Sequence, residues 1–203
     1  MRGLLVVGLI VVIAVITTVL GYQLPRSSSS SSLSPPSAAL PSDARRGAHS
    51  GALGEADGIV PDGVTVFDDT IPAVAKLDPD LLKALRRAAS GAAHDGVEFY
   101  VNSGWRSTAY QNQLLRQAVA KYGSENEAAR WVATAATSPH VTGDAVDLGR
   151  SDATAWLAGH GAEYGLCQIY RNETWHYELR ISAIERGCPR MYADPTEDPR
   201  MQQ

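Results

Sequence analysis

The sequence predicts an α+β fold, a small antiparallel sheet with helices packed on one side. Helical periodicities come early and alternating strand patterns late, and strands and helices do not alternate as parallel βαβ units require. No internal repeat is present, and 203 residues suit a single well-buried core.

The chain opens with MRGLLVVGLIVVIAVITTVLGY, uncharged from Gly3 to Leu24 and long enough to span a bilayer. Arg2 and the terminal amine precede this run, which puts the N-terminus in the cytoplasm and the rest of the chain outside. Two readings share that export. Residues 1–24 form an uncleaved anchor, favoured by the length of the run, or a signal peptide cleaved near Val19-Leu20-Gly21. The expected location is thus the cell membrane, single-pass with the folded domain outside, or the secreted fraction if the segment is cleaved. Residues 25–58 are dominated by Ser, Pro, Gly and Ala, lack an amphipathic period and read as a flexible stalk. The folded domain is expected over residues 59–203.

Within it, Val64 to Pro72 reads as an edge strand or a docked extended segment. Asp78 as N-cap and Pro79 at the first helical position start a helix whose apolar face carries Leu81, Leu82, Leu85, Ala88, Ala89 and Ala92, ending near Gly96. VEFYVNS alternates as a strand. Ser107 or Thr108 caps the next helix, which Gly123 stops, and Ser124 with Glu127 forms a capping box for a third helix through Trp131 and Val132. Pro139 breaks the helical pattern, and AVDL follows Gly143 as a short strand. A helix over DATAWLAGHGAEYG ends at Gly165. LCQIY and WHYELR are two strands joined by Arg171 to Thr174; a short SAIERG helix and a loop-like tail complete the chain.

The net charge of -4, with no Lys/Arg stripe interleaved with aromatics, excludes a nucleic-acid partner. The only two cysteines, Cys167 and Cys188, both fall outside the membrane on this topology, so a disulfide is expected. A cysteine zinc site is excluded, because no CxxC pair exists.

Of five histidines, His49 lies in the stalk, His94 at a helix C-terminus and His160 between glycines. His140 follows Pro139, and Asp147 lies seven residues further on, sharing a strand face with the small Ala145. In the strand at His176, a core face of Trp175, Tyr177 and Leu179 alternates with a polar face of His176, Glu178 and Arg180. Two nitrogens and one oxygen from His140, His176 and Asp147 would leave a fourth position open, the pattern of catalytic zinc. On spacing alone, with no HExxH or cysteine knuckle, the competing reading is the stronger: a loop histidine, an aspartate paired with an arginine and a half-buried strand residue. A base for a metal hydrolase is offered by both Glu173 and Glu178. Strand periodicity favours Glu178, while the turn position of Glu173 leaves its direction open.

Ser138-Pro139-His140-Val141-Thr142-Gly143-Asp144-Ala145-Val146-Asp147 resembles the SxHxxGxAxD motif of VanY-like D-alanyl-D-alanine carboxypeptidases. Glu173-Thr174-Trp175-His176 resembles their ExWH motif, and SGWRS at Ser103 to Ser107 with Gln111 resembles SGYRSxxxQ. The resemblance covers roughly Val97 to Arg180 and implies the scaffold of the lysostaphin, D-Ala-D-Ala peptidase and hedgehog group. It implies Zn2+ bound by His140, Asp147 and His176, Glu173 rather than Glu178 as general base, and Arg106 stabilising charge on the carbonyl oxygen. Ser138 and Gln111 would help hold the substrate's terminal carboxylate. The implied partner is a peptidoglycan stem peptide that loses its C-terminal D-alanine, with the enzyme acting as a monomer. The same zinc set would serve an L,D-carboxypeptidase or an endopeptidase, and an inactive wall-binding domain with structural zinc is the rival of another class. Against the family pattern, Thr174 stands in place of Pro and Trp105 in place of Tyr. For Arg106 the competing role is a structural ion pair with an acid such as Asp144.

Overall fold

Four short strands form one antiparallel sheet in the order β1–β2–β4–β3, with β1 at Tyr100–Ser103, β2 at Ala145–Gly149, β3 at Leu166–Gln168 and β4 at His176–Leu179. These come from a computed structural model that describes residues 52–202. The expected membrane segment and most of the expected stalk lie outside the described residues. Among the described residues, no helix is long and apolar enough to cross a membrane.

Strand alternation divides the sheet into two faces. Val101, Val146, Leu148 and Tyr177 point into the main core, where α2 (Pro79–Ala92) packs Leu81, Ala84, Leu85, Ala88 and Ala92 against them. Burying a side chain such as Leu81 or Leu85 contributes about 1.5–3 kcal/mol, so this helix is a principal source of stability. Its start follows from Asp78, whose carboxylate accepts from the Asp80 and Leu81 backbone N–H groups at 2.9 and 3.0 Å. Helix α6 (Ser151–His160) adds Ala153 and Leu157 to the same core. The opposite face carries Asp147, His176 and Glu178, all buried.

The remaining elements frame that polar face. Val64 to Val66 is a docked extended segment with one antiparallel bridge, Thr65 to Tyr100, followed by the single turn α1 (Pro72–Ala75). Ser107 caps α3 (Thr108–Tyr122), and Gly123 ends it in the left-handed conformation. Ser124 caps α4 (Glu125–Ala129), which is shorter than the sequence pattern suggests. Trp131 and Val132 leave the helix, because the Asn172 amide takes the carbonyl of Arg130 at 2.8 Å and Trp131 stacks on Tyr122 at 5.8 Å. Pro139 starts rather than merely breaks a helix, the one-turn α5 (Pro139–Thr142).

Two boundaries also move. Glu55–Asp57 forms a 3-10 turn, and Asp57 accepts from the Ser107 backbone at 2.8 Å and from its hydroxyl at 3.0 Å. The ordered body therefore starts before Ile59. At the other end, the tail after α7 (Ala183–Arg186) is built into 3-10 turns at Pro195–Glu197 and Pro199–Gln202. Cys167 and Cys188 form the expected disulfide, tying β3 to the start of this tail. Reduction of a loop with sequence separation 21 should lower stability by about 3 kcal/mol. Alkylation under non-reducing denaturing conditions should leave the mass unchanged; two alkyl adducts would refute the bond.

Candidate metal centre

The polar face is assembled by register. Asp147 of β2 and His176 of β4 are direct cross-strand partners, and Ser103 of β1 pairs with Asp147 on its other side after a bulge. His140 arrives from α5, whose end requires Gly143: its φ is 86°, and a Cβ there would stand 2.5 Å from the Lys76 carbonyl oxygen. The three side chains converge. His140 Nε2 lies 3.3 Å from His176 Nδ1, and Asp147 Oδ1 lies 3.4 Å from the first and 3.2 Å from the second.

The far side of each imidazole is committed. His140 Nδ1–H donates to the Gly104 carbonyl at 2.9 Å, and His176 Nε2–H donates to Glu178 Oε1 at 3.2 Å. With both rings neutral, each turns a lone pair toward the carboxylate oxygen of Asp147. Three acceptors within 3.4 Å of one another repel unless a cation lies among them. The group is thus fitted to hold a metal ion.

Electrostatics agree with that reading. Burial, then the Arg106 charge, push His140 down and keep it neutral. Burial would raise Asp147, but His140, His176 and Arg106 hold it well below the usual carboxylate range. Burial likewise opposes charge on His176, yet its hydrogen bonds to Asp147 and Glu178 push it up to about 9. A positive charge is favoured at the meeting point, and a metal ion binding there displaces a proton.

The SGWRS stretch builds one wall. Gly104 has no room for a side chain, since a Cβ would lie 2.1 Å from the Ala73 carbonyl oxygen. Arg106 donates from Nε to Ser103 Oγ at 2.7 Å, from Nη1 to Gln111 Oε1 at 3.2 Å and from Nη2 to Asp147 Oδ2 at 2.7 Å. Its ion pair is thus with Asp147. Asp144 is exposed and accepts from the Thr142 hydroxyl at 2.6 Å. Gln111 is fully buried, its amide donating to the Ala133 carbonyl at 2.8 Å.

The two glutamates separate cleanly. Glu178 sits behind His176, where burial would raise it but His176 and Arg200 hold it well below the ordinary range. Glu173 lies on the donor side, with Oε2 3.8 Å from His176 Nδ1. Its Oε1 is buried and makes no hydrogen bond among the described residues. Burial pushes its carboxyl up to about 7, outweighing the pull of His176. Arg106, Gln111, Ser138, His140, Asp147, Glu173 and His176 all line one cleft.

The structure adds residues that spacing did not indicate. Trp131, Tyr170, Pro195 and Met201 also line the cleft, and Trp175, read from alternation as core, stands at its edge 39% exposed. Trp131 was hidden by the overlong helix, and the tail residues carry no periodic signal.

Residues 74–182 match the model of the VanY family, described as D-alanyl-D-alanine carboxypeptidase. A D-alanyl-D-alanine carboxypeptidase of Enterococcus faecalis (strain ATCC 700802 / V583) is 28% identical over 127 residues, 50% of this chain and 47% of that protein. The chain thus spans about half the length of that curated relative. Among solved structures, VanYB in complex with D-alanine-D-alanine is 27% identical with a TM-score of 0.50, covering 55% of this chain and 74% of that one. The LdcB LD-carboxypeptidase is 24% identical with a TM-score of 0.49, covering 61% and 67%. The family match takes in just over half of the chain and spans Arg106 through His176, so this chain belongs to the VanY D-alanyl-D-alanine carboxypeptidase family.

Proposed function

We propose that this chain is a zinc-dependent D,D-carboxypeptidase that removes the C-terminal D-alanine from peptidoglycan stem peptides. One observation carries the reading: His140 Nε2, Asp147 Oδ1 and His176 Nδ1 meet beside Glu173, whose buried Oε1 makes no hydrogen bond among the described residues. Ligand atoms about 2.0–2.1 Å from a tetrahedral zinc stand about 3.3 Å apart. The observed separations of 3.2, 3.3 and 3.4 Å fit that size. Zinc held there supplies Lewis acidity that activates water and polarises the scissile carbonyl.

The chain's own groups do the rest. Glu173 takes the proton of the attacking water and hands it to the leaving amine of D-alanine, work suited to a buried carboxyl with one oxygen free of hydrogen bonds among the described residues. Arg106, held by three partners, is a fixed cation at the cleft wall for charge developing on the carbonyl oxygen. Ser138 is buried in the cleft and does not cap α5, which leaves its hydroxyl for the substrate's terminal carboxylate. Gln111, expected to help hold that carboxylate, has its amide engaged by the Ala133 carbonyl and by Arg106, and contributes instead by bracing Arg106 at 3.2 Å. The family match and the D-alanine-D-alanine held by VanYB support D,D specificity. The Cys167–Cys188 bond supports an extracytoplasmic site of action, with residues 1–24 as anchor or signal.

The test is an assay of the full-length chain in detergent with pentapeptide and tetrapeptide stems, with and without chelator, following D-alanine by mass. Release from the pentapeptide alone, abolished by chelator, is expected. Release from the tetrapeptide alone would shift the reading to L,D, and no turnover despite stoichiometric zinc would sink the enzyme assignment.

A further inference from the structure

The segment after Cys188 lies beyond the residues that match the family, yet it reaches the back of the metal site. Its path is pinned at successive points. Cys188 is bonded to Cys167 on β3; Tyr192 donates its backbone N–H to the Ile169 carbonyl at 3.0 Å; Asp194 accepts from Arg130 Nε at 3.0 Å. Asp198 is fully buried and accepts from the Tyr170 hydroxyl at 3.0 Å. These contacts deliver Arg200 between two fully buried carboxylates. It donates from Nη1 to Glu178 Oε2 at 2.7 Å and from Nη2 to Glu178 Oε1 at 3.2 Å, while Nε meets Asp198 at 3.0 and 3.1 Å. Arg180 supplies the second cation to Glu178, at 2.7 Å.

Glu178 Oε1 is the atom that receives the outer ring N–H of His176. A carboxylate gripped by a planar two-pronged donor has one orientation, whereas a carboxylate on a free stem has several. The ring behind which it stands is then held in the tautomer and rotation that turn Nδ1 inward. We infer that the C-terminal tail is a clamp on the metal centre, with Arg200 as a positioning residue that acts through Glu178 on His176. This inference rests on the metal reading under Proposed function and extends it to residues outside the shared family region.

The test compares the full-length chain in detergent with Arg200→Met and Arg200→Lys, reading zinc affinity by competition with a chromophoric chelator, the Co2+ absorption spectrum, and far-UV circular dichroism of the metal-free form. Arg200→Met should weaken zinc binding about 10- to 100-fold and alter the Co2+ bands while the circular dichroism holds. Arg200→Lys should restore part of the affinity, because an ammonium keeps the charge but not the fork. Parent-like affinity and spectrum in Arg200→Met overturn the clamp. Should that variant fail to fold, Arg200→Lys decides on the same two readouts: weakened binding with shifted bands supports the clamp, and parent-like values overturn it. A parent chain that binds no zinc removes the metal reading itself, and the clamp with it.

Discussion

Glu173→Gln is expected to lower kcat by about 10²- to 10⁴-fold, the usual contribution of a positioned acid-base group, with zinc content and fold unchanged. The substitution is close to isosteric, and Glu173 Oε1 has no hydrogen bond among the described residues to lose. What disappears is the ability to accept and return a proton beside His176, 3.8 Å away. Glu178→Gln should behave differently. That residue receives the His176 ring N–H and two guanidinium groups, so its loss should appear first as weaker metal binding. Steady-state kinetics with zinc analysis distinguishes the two. A Glu173→Gln enzyme turning over within about twofold of the parent would remove Glu173 from the proton-transfer role assigned by the usual magnitude.

The second large effect concerns the metal. Stripping it with a chelator should abolish D-alanine release and lower the Tm by roughly 5–10 °C. A ligand present at 100 times its Kd stabilises the folded state by about 2.7 kcal/mol, and a domain of this size shifts about 2–4 °C per kcal/mol. The direction follows from the donor set. His140, Asp147 and His176 are buried, and three acceptors turned toward one another need a cation between them. Differential scanning calorimetry with and without chelator, followed by zinc add-back, measures the effect. An unchanged Tm would contradict the fit between these residues and a metal.

How much of this was legible depended on whether the signal was local. Asp78 and Pro79 announced α2, and Ser107 and Gly123 bounded α3, because caps and stops are written within one helical turn. Alternation placed Asp147 and His176 on strands, and the motif resemblance put them together with His140. Alternation could not choose between Glu173 and Glu178. Both approach His176, one from the turn before β4 and one from the strand itself, and only their positions on opposite sides of the ring separate them. The cap at Ser124 was real, its hydroxyl accepting from the Glu127 backbone N–H at 3.2 Å, but the end of α4 depends on Asn172, 42 residues away from Arg130. The tail read as loop for the same reason: Asp194, Asp198 and Arg200 have no period, and their partners at Arg130, Tyr170 and Glu178 are distant in sequence.

The most direct measurement of the central claim is a crystal structure of the zinc-loaded chain with anomalous data at the zinc edge. One peak is predicted at the meeting point of His140 Nε2, Asp147 Oδ1 and His176 Nδ1, with each contact about 2.0–2.2 Å and the Glu173 carboxyl facing the remaining side. A peak bound through His176 Nε2, a peak elsewhere, or none at stoichiometric zinc would contradict it.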